Sequence, residues 1–329
     1  MTKIYIILVN KTSNLLVIIR ICCYNIPTLF CYFGDKMDFC TRELIDKGWS
    51  SDKKYRVTDK DGARYLLRIS DAKQYEAKLS EFNIMKKLIS LGIPMCQPIE
   101  FGVCDEGVYS IQSWIDGEDA EQVIAKYSEA KQYAFGVEAG QILRKIHSIP
   151  APKNQEDWEI YFNRKMDYKI KKYGECPIKY DNGQAFIDYI NENRHLLKNR
   201  PQVYQHGDYH IGNMMIDRSD KLYVIDFNRN DYGDPWEEFN RIVWCAQKSH
   251  PFATGLVNGY FSDNVPPEFW KLLALYISSN ALSSVYWAIP FGEDQVNVML
   301  KQVKEILSWY DNMRKDIPTW YKGLMKFNN

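Results

Sequence analysis

Short apolar runs separated by polar turns predict β-structure between residues 55 and 115. Residues 55–57 and 65–69 flank Asp61-Gly62, a dipeptide that favours a turn. Residues 97–103 and 108–115 flank a second polar stretch in the same way. The pattern therefore predicts two pairs of strands, the second of them a β-hairpin.

A helical repeat separates these two pairs of strands. Its apolar residues recur every three or four positions, as on one face of a helix: Tyr75, Leu79, Phe82, Met85 and Leu88. Asp71 is the expected N-cap and Gly92 the expected stop, so the helix is predicted over residues 72–91. A shorter helix is predicted over residues 39–47, ending at Gly48.

After Asp119 the chain is predicted to be mostly helical. One helix carries apolar residues at helical spacing: Phe135, Ala139, Ile142 and Ile146. It is predicted to end at His147, a residue that we expect to pack or cap rather than act as a base. Further helices are predicted over residues 158–173, 184–197 and 236–247, with two or three more before the end of the chain.

Residues 203–234 have the pattern of a strand, a loop, a hairpin and a second loop. The first loop contains Asp208 and, five positions later, Asn213. Two apolar runs then flank a polar turn, and the second run, residues 222–225, ends on Asp226. Such a hairpin would place Asp226 beside the first loop, so three oxygen-bearing side chains are predicted to converge.

Converging oxygens of this kind suit phosphoryl transfer, because Mg²⁺ is usually held by one or two protein oxygens together with phosphates and waters. The alternative is that Asp208 and Asp226 are turn residues at either end of a hairpin. That alternative does not explain why Asp226 ends the apolar run, where an unpaired carboxylate is costly to desolvate. An active site is therefore the preferred interpretation.

The spacing of these residues resembles the protein kinase catalytic loop, H-R-D-x-x-x-x-N, and the D-F-G that follows it. Here glycine replaces the arginine and asparagine replaces the last glycine: His206-Gly207-Asp208 with Asn213, then Asp226-Phe227-Asn228. A Gly-Asp-Pro follows at residues 233–235. The form H-G-D-x-x-x-x-N with a later D-F resembles the aminoglycoside phosphotransferase family and its choline-kinase-like relatives.

This resemblance implies an α+β, two-lobed, protein-kinase-like fold. A small antiparallel-sheet N-lobe would span residues 37–115, and a larger, mostly helical C-lobe would span residues 116–329. ATP, with GTP as the alternative nucleotide, would bind in the cleft together with Mg²⁺. Asp208 would take or orient the proton of the acceptor hydroxyl, while Asn213 and Asp226 would hold the metal.

The resemblance also implies a charged pair in the N-lobe. Arg68 stands on the strand where kinases carry a lysine that pairs the phosphates, and an arginine can bind phosphate oxygens bidentately. The alternative is a surface arginine on an edge strand. Glu81 is the expected glutamate of the following helix, and Glu76 is its rival by spacing.

The remaining nucleotide contacts are implied by position. The chain has no glycine-rich phosphate loop, but Ser50 and Ser51 would offer amides and hydroxyls to a phosphate unless they form an ordinary polar turn. Backbone groups of residues 112–115, which include Gln112 and Trp114, would hydrogen-bond the adenine.

The acceptor is expected to be an aminoglycoside, which would make the protein an antibiotic-resistance enzyme. Aminoglycosides are polycations and suit a cleft lined with carboxylates. Asp231, Glu237 and Glu238 would supply that lining, as would Asp157, although acidic residues are also common at helix starts. Arg229 either lies near the substrate, as in the family, or forms a structural salt bridge. Choline or another small hydroxylated metabolite is the alternative acceptor.

Two other function classes fit part of the pattern. The stretch Gly207-Asp208-x-His210 resembles the Gly-Asp-x-His metal motif of metallophosphoesterases. That reading needs further histidines at strand ends, and neither His195 nor His250 lies in such a motif. A nucleotide-binding pseudokinase is disfavoured because all three polar residues of the kinase pattern are present.

Composition narrows the class of protein. The chain has 329 residues, of which 46% are hydrophobic and 14% aromatic, so we expect a packed globular protein with two lobes. Lysine plus arginine equals aspartate plus glutamate at 42 each, and no basic run indicates a nucleic-acid partner. The eight cysteines form no C-x-x-C pair and are expected to be reduced thiols of a cytoplasmic protein. The expected partners are a nucleotide and a small molecule, with the oligomeric state left open.

Residues 1–36 differ in composition from the rest and are interpreted as an atypical extension, with Met37 as the natural start. A membrane helix would need about 18 apolar residues with few charges, whereas Lys3, Lys11 and Arg20 interrupt this stretch. No clear signal-peptide cleavage site is present. We therefore expect no membrane partner.

Overall fold

The computed structural model describes residues 39–46 and 51–327 of the chain. Its N-terminal part combines a sheet with a long helix. These elements are β1 (Phe39–Leu44), β2 (Lys53–Asp59), β3 (Arg64–Ser70), α1 (Tyr75–Ser90), β4 (Pro98–Cys104) and β5 (Gly107–Ser113). The strands form one antiparallel sheet in the order β1-β2-β3-β5-β4. Both predicted strand pairs are confirmed, and the sheet contains one strand more than predicted.

Strand β1 shows that the helix predicted over residues 39–47 is wrong. Residues 41–44 pair with β2, and the more buried residue among them is Arg42. Its guanidinium lies 3.8 Å from the centre of the Tyr55 ring and pairs with Glu106 at 2.8 Å. A charged residue on the packed side removes the apolar alternation that identifies a strand, so pairing with β2 decides the structure. Residues 47 and 48, the predicted helix end, lie outside the described residues.

Helix α1 covers the sheet, which has a small apolar core of its own: Val57, Leu67, Ile69, Tyr109 and Ile111. The helix buries Phe82, Met85 and Leu88, which belong to the predicted apolar face. Asp71 caps a short 3-10 turn that leads into the helix, and Gly92, with a φ of +72°, follows its end. The predicted boundaries are thereby confirmed.

The rest of the described chain is mostly helical, with short strands around one loop region. Its elements are β6 (Gly117–Asp119), α2 (Ala120–Val123), α3 (Glu129–Ile146), α4 (Trp158–Glu175), α5 (Gln184–Asn193), β7 (Val203–Gln205), β8 (Met214–Asp217), β9 (Leu222–Val224), β10 (Asp231–Gly233), α6 (Ile242–Lys248), α7 (His250–Phe261), α8 (Pro267–Ala288) and α9 (Glu293–Trp309). An antiparallel sheet followed by a helical part is the predicted α+β class. The exact boundary between the lobes stays a prediction, and residues 1–36 lie outside the described residues.

Two predicted helices are shorter than expected. The one over residues 184–197 ends as α5 and continues as a 3-10 turn at Arg194–Leu197. The one over residues 236–247 starts with a 3-10 turn at Glu237–Arg241 before α6 begins. The side chain of Asp234 binds the N–H of Trp236 at 2.9 Å, and its carbonyl binds the next N–H. These bonds hold the chain in a tight turn, so the regular helix begins later.

Helices α3 and α7 lie in close contact because glycines face each other along them. A Cβ added to Gly140 would lie 2.2 Å from the carbonyl oxygen of Leu256, and one added to Gly259 would lie 2.1 Å from that of Val137. Larger side chains at these positions would force the helices apart. The pair supports the candidate site, because the hydroxyl of Tyr209 donates to the carbonyl of Ala139 in α3 at 2.7 Å.

Helix α8 is the central helix of the large apolar core. With the turn after it (Pro267–Phe291), it is long and apolar enough to cross a membrane by length and composition, and 67% of its most apolar window is buried inside the protein. Phe269, Leu272 and Leu282, for example, are fully buried. Its apolar character is thus explained by packing against its neighbours.

Candidate active site

The loop after β7 and the end of the β8–β9 hairpin are joined by backbone hydrogen bonds. The N–H of Ile225 donates to the carbonyl of Asn213 at 3.0 Å, which places Asp226, the next residue, beside Asn213. The side-chain amide of Asn213 donates to the carbonyl of Asp208 at 2.9 Å. The structure therefore brings Asp208, Asn213 and Asp226 together, as the hairpin geometry predicts.

The buried side chain of His206 also connects the loop after β7 with the end of the β8–β9 hairpin. Its ring is fully buried, and Nε2 lies 3.0 Å from the carbonyl oxygen of Ile225 while Nδ1 accepts the N–H of Asp208 at 3.3 Å. Because Nδ1 accepts, the proton lies on Nε2, which donates to Ile225. Burial lowers the pKa of His206, so the ring is neutral and acts as a rigid bridge.

Gly207 has room for no side chain. Its φ is +82°, and a Cβ there would lie 1.9 Å from the carbonyl oxygen of Arg229. The kinase arginine at this position is therefore excluded in this protein. The N–H of Gly207 donates to Glu238 Oε1 at 2.9 Å, and Glu238 is only 2% exposed. The prediction that Glu238 lines the acceptor surface is wrong, because its carboxylate is buried behind the loop.

Asp208 lies beside two arginines and a histidine. Its carboxylate is 3.2 Å from Nε of Arg241, 3.7 Å from Nε2 of His210 and 3.8 Å from Nη1 of Arg229. Burial by itself would raise the pKa of Asp208, but the neighbouring His210 ring and the charges of Arg241 and Arg229 outweigh it. The pKa of Asp208 therefore lies well below its ordinary value of 3.8, and the side chain is a carboxylate at neutral pH.

Asn213 and Asp226 suit a magnesium ion by their chemistry. Because Asn213 uses its amide nitrogen to bind the loop, its oxygen is left over, and no described residue donates a hydrogen bond to it. The Asp226 side chain is 30% exposed and contacts Arg68 through one oxygen at 3.3 Å. Two protein oxygens leave positions for phosphates and waters, which is how Mg²⁺ is usually bound at phosphoryl-transfer sites.

A buried ionic network connects Asp226 to the N-terminal sheet. The guanidinium of Arg68 lies between Asp226 and Asp52, with Nη2 3.0 Å from Asp52 Oδ2. Asp52 also accepts hydrogen bonds from Lys78 at 2.8 Å and Ser70 at 2.9 Å. Although burial opposes it, these donors lower the pKa of Asp52. Sequence reasoning missed Asp52 and Lys78, because neither belongs to the kinase pattern.

Glu81, the helix glutamate predicted as the partner of Arg68, lies in this network but not against the arginine. It pairs with Lys78 at 3.2 Å and is 12% exposed, and together with Arg68 it lines a small cavity under α1. Its charge helps to raise the pKa of Arg68 against the effect of burial. The rival residue, Glu76, is exposed. The structure thus favours Glu81 over Glu76 as the helix glutamate. Glu81 is linked to Arg68 indirectly, through Lys78 and Asp52.

The structure describes three of the four other residues predicted to bind the nucleotide. Ser51 is exposed, while Ser50 lies outside the described residues. Gln112 lies in β5 opposite Leu66 of β3, and its side chain is buried. Trp114 follows the strand, and among the described residues no backbone hydrogen bond involves it or Ile115. The backbone of these two residues is therefore not paired with the sheet, whereas Gln112 is part of the sheet and lines the same small cavity as Arg68 and Glu81.

The predicted acceptor residues differ in their surroundings. Arg229 is exposed and faces Asp208, and Asp231 is exposed on β10. Glu237 is bound by Lys165 at 3.5 Å and by the Gln205 amide at 3.3 Å. Asp157 caps α4 by accepting the N–H of Ile160 at 3.2 Å. These residues therefore do not form the acidic lining predicted for the acceptor site.

The metallophosphoesterase alternative has no candidate ligand set in the part of the chain that the structure describes, where no group of three or more His, Cys, Asp or Glu side chains is placed to hold a metal. His210 instead accepts the N–H of Gly212 at 3.0 Å and lies beside Asp208.

Comparison with known proteins agrees with this geometry. The model of the phosphotransferase enzyme family matches residues 41–271, which is more than half of the chain. The chain belongs to this family. The prediction that it is a phosphotransferase acting on an alcohol group is thereby confirmed. No curated protein matches the sequence.

Solved structures of low identity share the kinase-like fold. A thermostable mutant of aminoglycoside phosphotransferase APH(4)-Ia, in ternary complex with ADP and hygromycin B, has a TM-score of 0.57 at 13% identity, over 82% of this chain and 94% of that one. A choline/ethanolamine kinase family protein from Mesorhizobium loti has a TM-score of 0.59 at 14% identity, over 82% and 90%. The GDP complex of an aminoglycoside 2'-phosphotransferase-IIIa mutant has 0.59 at 13%, over 85% and 95%. The predicted fold is therefore confirmed.

Proposed function

We propose that the protein transfers the γ-phosphate of ATP, with GTP as the alternative, to a hydroxyl group of a small molecule. The observation that carries this proposal is the junction of Asp208, Asn213 and Asp226, held together by the Asn213 amide and the Ile225 N–H. Relatives that share the fold are seen with ADP and with GDP. A location in the cytoplasm, where ATP is available, fits this activity.

Each residue of the site has a separate role in the proposed phosphoryl transfer. Asp208, ionised and held by Arg241, accepts a hydrogen bond from the acceptor hydroxyl and orients it toward the phosphate. Asn213 and Asp226 hold Mg²⁺, which when bound neutralises charge on the terminal phosphates. Arg68 fixes Asp226 relative to the sheet, and the backbone of Trp114 and Ile115 binds the base.

The acceptor predicted from the sequence is an aminoglycoside, and the antibiotic-resistance role depends on it. One relative is seen with hygromycin B, and another belongs to the choline/ethanolamine kinases, so both cationic acceptors belong in the first assays. The purified protein is incubated with Mg-ATP or Mg-GTP and each acceptor in turn. ADP or GDP release with a phosphorylated acceptor supports the proposal, whereas nucleotide binding without release indicates a pseudokinase. Ester hydrolysis without nucleotide indicates a phosphoesterase.

Replacing Asn213 by alanine or Asp226 by asparagine is expected to weaken Mg-ATP binding by roughly tenfold or more, because the first variant loses an oxygen ligand and the second loses the negative charge of its ligand. Binding is measured by titrating ATP at several Mg²⁺ concentrations. The control is Glu118→Gln on β6, whose side chain is 74% exposed. Unchanged affinity in both variants would contradict the assigned metal site.

The low pKa of Asp208 predicts a pH-independent contribution to turnover. Since its carboxylate is ionised well below pH 4, the ratio of kcat/KM between the wild type and Asp208→Asn is expected to stay constant from about pH 5 to 8. If the ratio fell as the pH decreased through this range, Asp208 would have an ordinary or raised pKa in the free enzyme. The measurement is a pair of pH profiles at saturating Mg-ATP.

A further inference from the structure

Four basic side chains come from α4 and from the segment around Asp208, and we call them the basic cluster: Lys165, Lys169, Arg229 and Arg241. Arg229 and Arg241 contact the Asp208 carboxylate directly. Lys165 and Lys169 come from α4 and, at positions i and i+4, lie on the same face of that helix. Lys165 pairs with Glu237 at 3.5 Å, and Glu237 also accepts a hydrogen bond from the side chain of Gln205, three residues before Asp208, which places these lysines beside the catalytic loop.

Most carboxylates in this region are already paired or buried, so they do not neutralise the positive charges of a polycationic ligand. Asp208 is already surrounded by two guanidinium groups and a histidine. Glu237 is bound by Lys165, and Glu238 is buried against Gly207. Asp231 remains exposed. An aminoglycoside would therefore place its ammonium groups against like charges, which is unfavourable.

Lys169 lacks a counter-ion. Within the described chain no carboxylate lies within the 4 Å that defines an ion pair with its Nζ, although the residue is half-buried. Burial, together with the charges of Lys165 and Arg241, lowers the pKa of Lys169 to about 7, and Glu237 opposes this only in part. A half-buried ammonium without a carboxylate partner, one helical turn from a second lysine, is stabilised when an anion binds.

We propose that the acceptor is a hydroxylated small molecule that carries an anionic group, a carboxylate or a phosphate, and that Lys165 and Lys169 bind this group while Asp208 orients the hydroxyl. Arg241 links the two subsites, because it contacts Asp208 and adds its charge next to Lys169. This inference rests on the proposed phosphotransferase function and specifies its substrate class. It replaces the aminoglycoside as the preferred acceptor.

The test compares sugars that differ in charge: glucose, glucuronate, glucose 6-phosphate and kanamycin. Each is assayed for phosphorylation with Mg-ATP, and separately for its effect on Tm without nucleotide. We expect glucuronate or glucose 6-phosphate to bind and react in preference to glucose and kanamycin; whichever of the two is preferred tells a carboxylate from a phosphate. In Lys169→Gln and Lys165→Gln the KM for the anion should rise roughly 10- to 100-fold, with the KM for ATP unchanged.

The matched control is Lys172→Gln, a lysine of the same helix whose side chain is 41% exposed and pairs with Glu175. It should leave every parameter unchanged. A preference for kanamycin, or equal KM values for the anion in wild type and both lysine variants, would overturn the inference and leave the phosphotransferase function standing. The inference is also overturned if a preparation that binds Mg-ATP neither phosphorylates nor is stabilised by either anion. A preparation that does not bind Mg-ATP would instead contradict the proposed function itself.

Discussion

Asp208→Asn is expected to lower kcat about 10²- to 10⁴-fold while the affinity for Mg-ATP changes little. The asparagine keeps the shape of the side chain but removes the negative charge that orients the acceptor hydroxyl. The metal residues Asn213 and Asp226 remain in place, because the amide of Asn213 binds the backbone carbonyl of residue 208 and not its side chain. The loss should therefore appear in turnover and not in nucleotide binding.

The size of this loss distinguishes two roles for the carboxylate. A general base works best with a pKa near the operating pH, whereas Asp208 has a pKa far below it. A loose transition state needs little proton removal before the phosphoryl group transfers, so orientation of the hydroxyl accounts for much of the effect. We therefore expect a loss toward the lower end of the range. Single-turnover measurements with Mg-ATP and the preferred acceptor provide the comparison.

The control for this experiment is Glu118→Gln, an exposed carboxylate on β6, which should retain full activity. Circular dichroism and thermal unfolding establish that the Asp208→Asn protein is folded. Full turnover in a folded Asp208→Asn protein would remove Asp208 from the reaction and, with it, the proposed mechanism.

Most of the candidate site could be predicted because its residues are close in sequence. The turn between β8 and β9 fixes the register of the hairpin, so the spacing from Asp208 to Asp226 leads directly to a location in space. His206 and Gly207 belong to the same stretch. Local spacing is thus sufficient where a loop and a hairpin form the site.

The parts that could not be predicted depend on contacts between distant segments. Asp52 meets Lys78 across 26 positions, and Arg68 meets Asp226 across 158, so no local pattern indicates either pair. Glu238 was expected to line the acceptor surface, yet its carboxylate is buried and accepts the N–H of Gly207, 31 positions away. Long-range tertiary contacts determine the position of each of these residues, as they determine the strand structure of β1.

Asp234→Ala is expected to lower the free energy of unfolding by about 3–5 kcal/mol. The Asp234 side chain is fully buried and accepts two hydrogen bonds from Arg200, at 2.6 and 3.0 Å. It also accepts from the Tyr276 hydroxyl at 2.6 Å and from the N–H of Trp236 at 2.9 Å. Removing the carboxylate leaves a largely buried guanidinium, stacked 3.9 Å from the Trp236 ring, without its counter-ion.

Urea unfolding measures this effect as a shift of the midpoint at a constant m-value. Glu156→Ala is the control, because Glu156 forms an exposed pair with Arg164 at 2.7 Å and its loss should cost far less than that of Asp234. The double variant Asp234→Ala, Arg200→Met should regain part of the loss, since the stranded charge is then gone. A loss below 1 kcal/mol in Asp234→Ala would show that solvent reaches Arg200 and that the pair does not hold this region.

The same pair bears on activity because it lies behind the catalytic loop. The side-chain amide of Gln205 donates to the carbonyl of Asp234 at 2.8 Å, and β7, which contains Gln205, leads straight into His206 and Asp208. Strand β10 pairs with β7 and ends one residue before Asp234. Loosening this corner would move Asp208 relative to Asn213, so Asp234→Ala should reduce kcat even at temperatures where the protein remains folded.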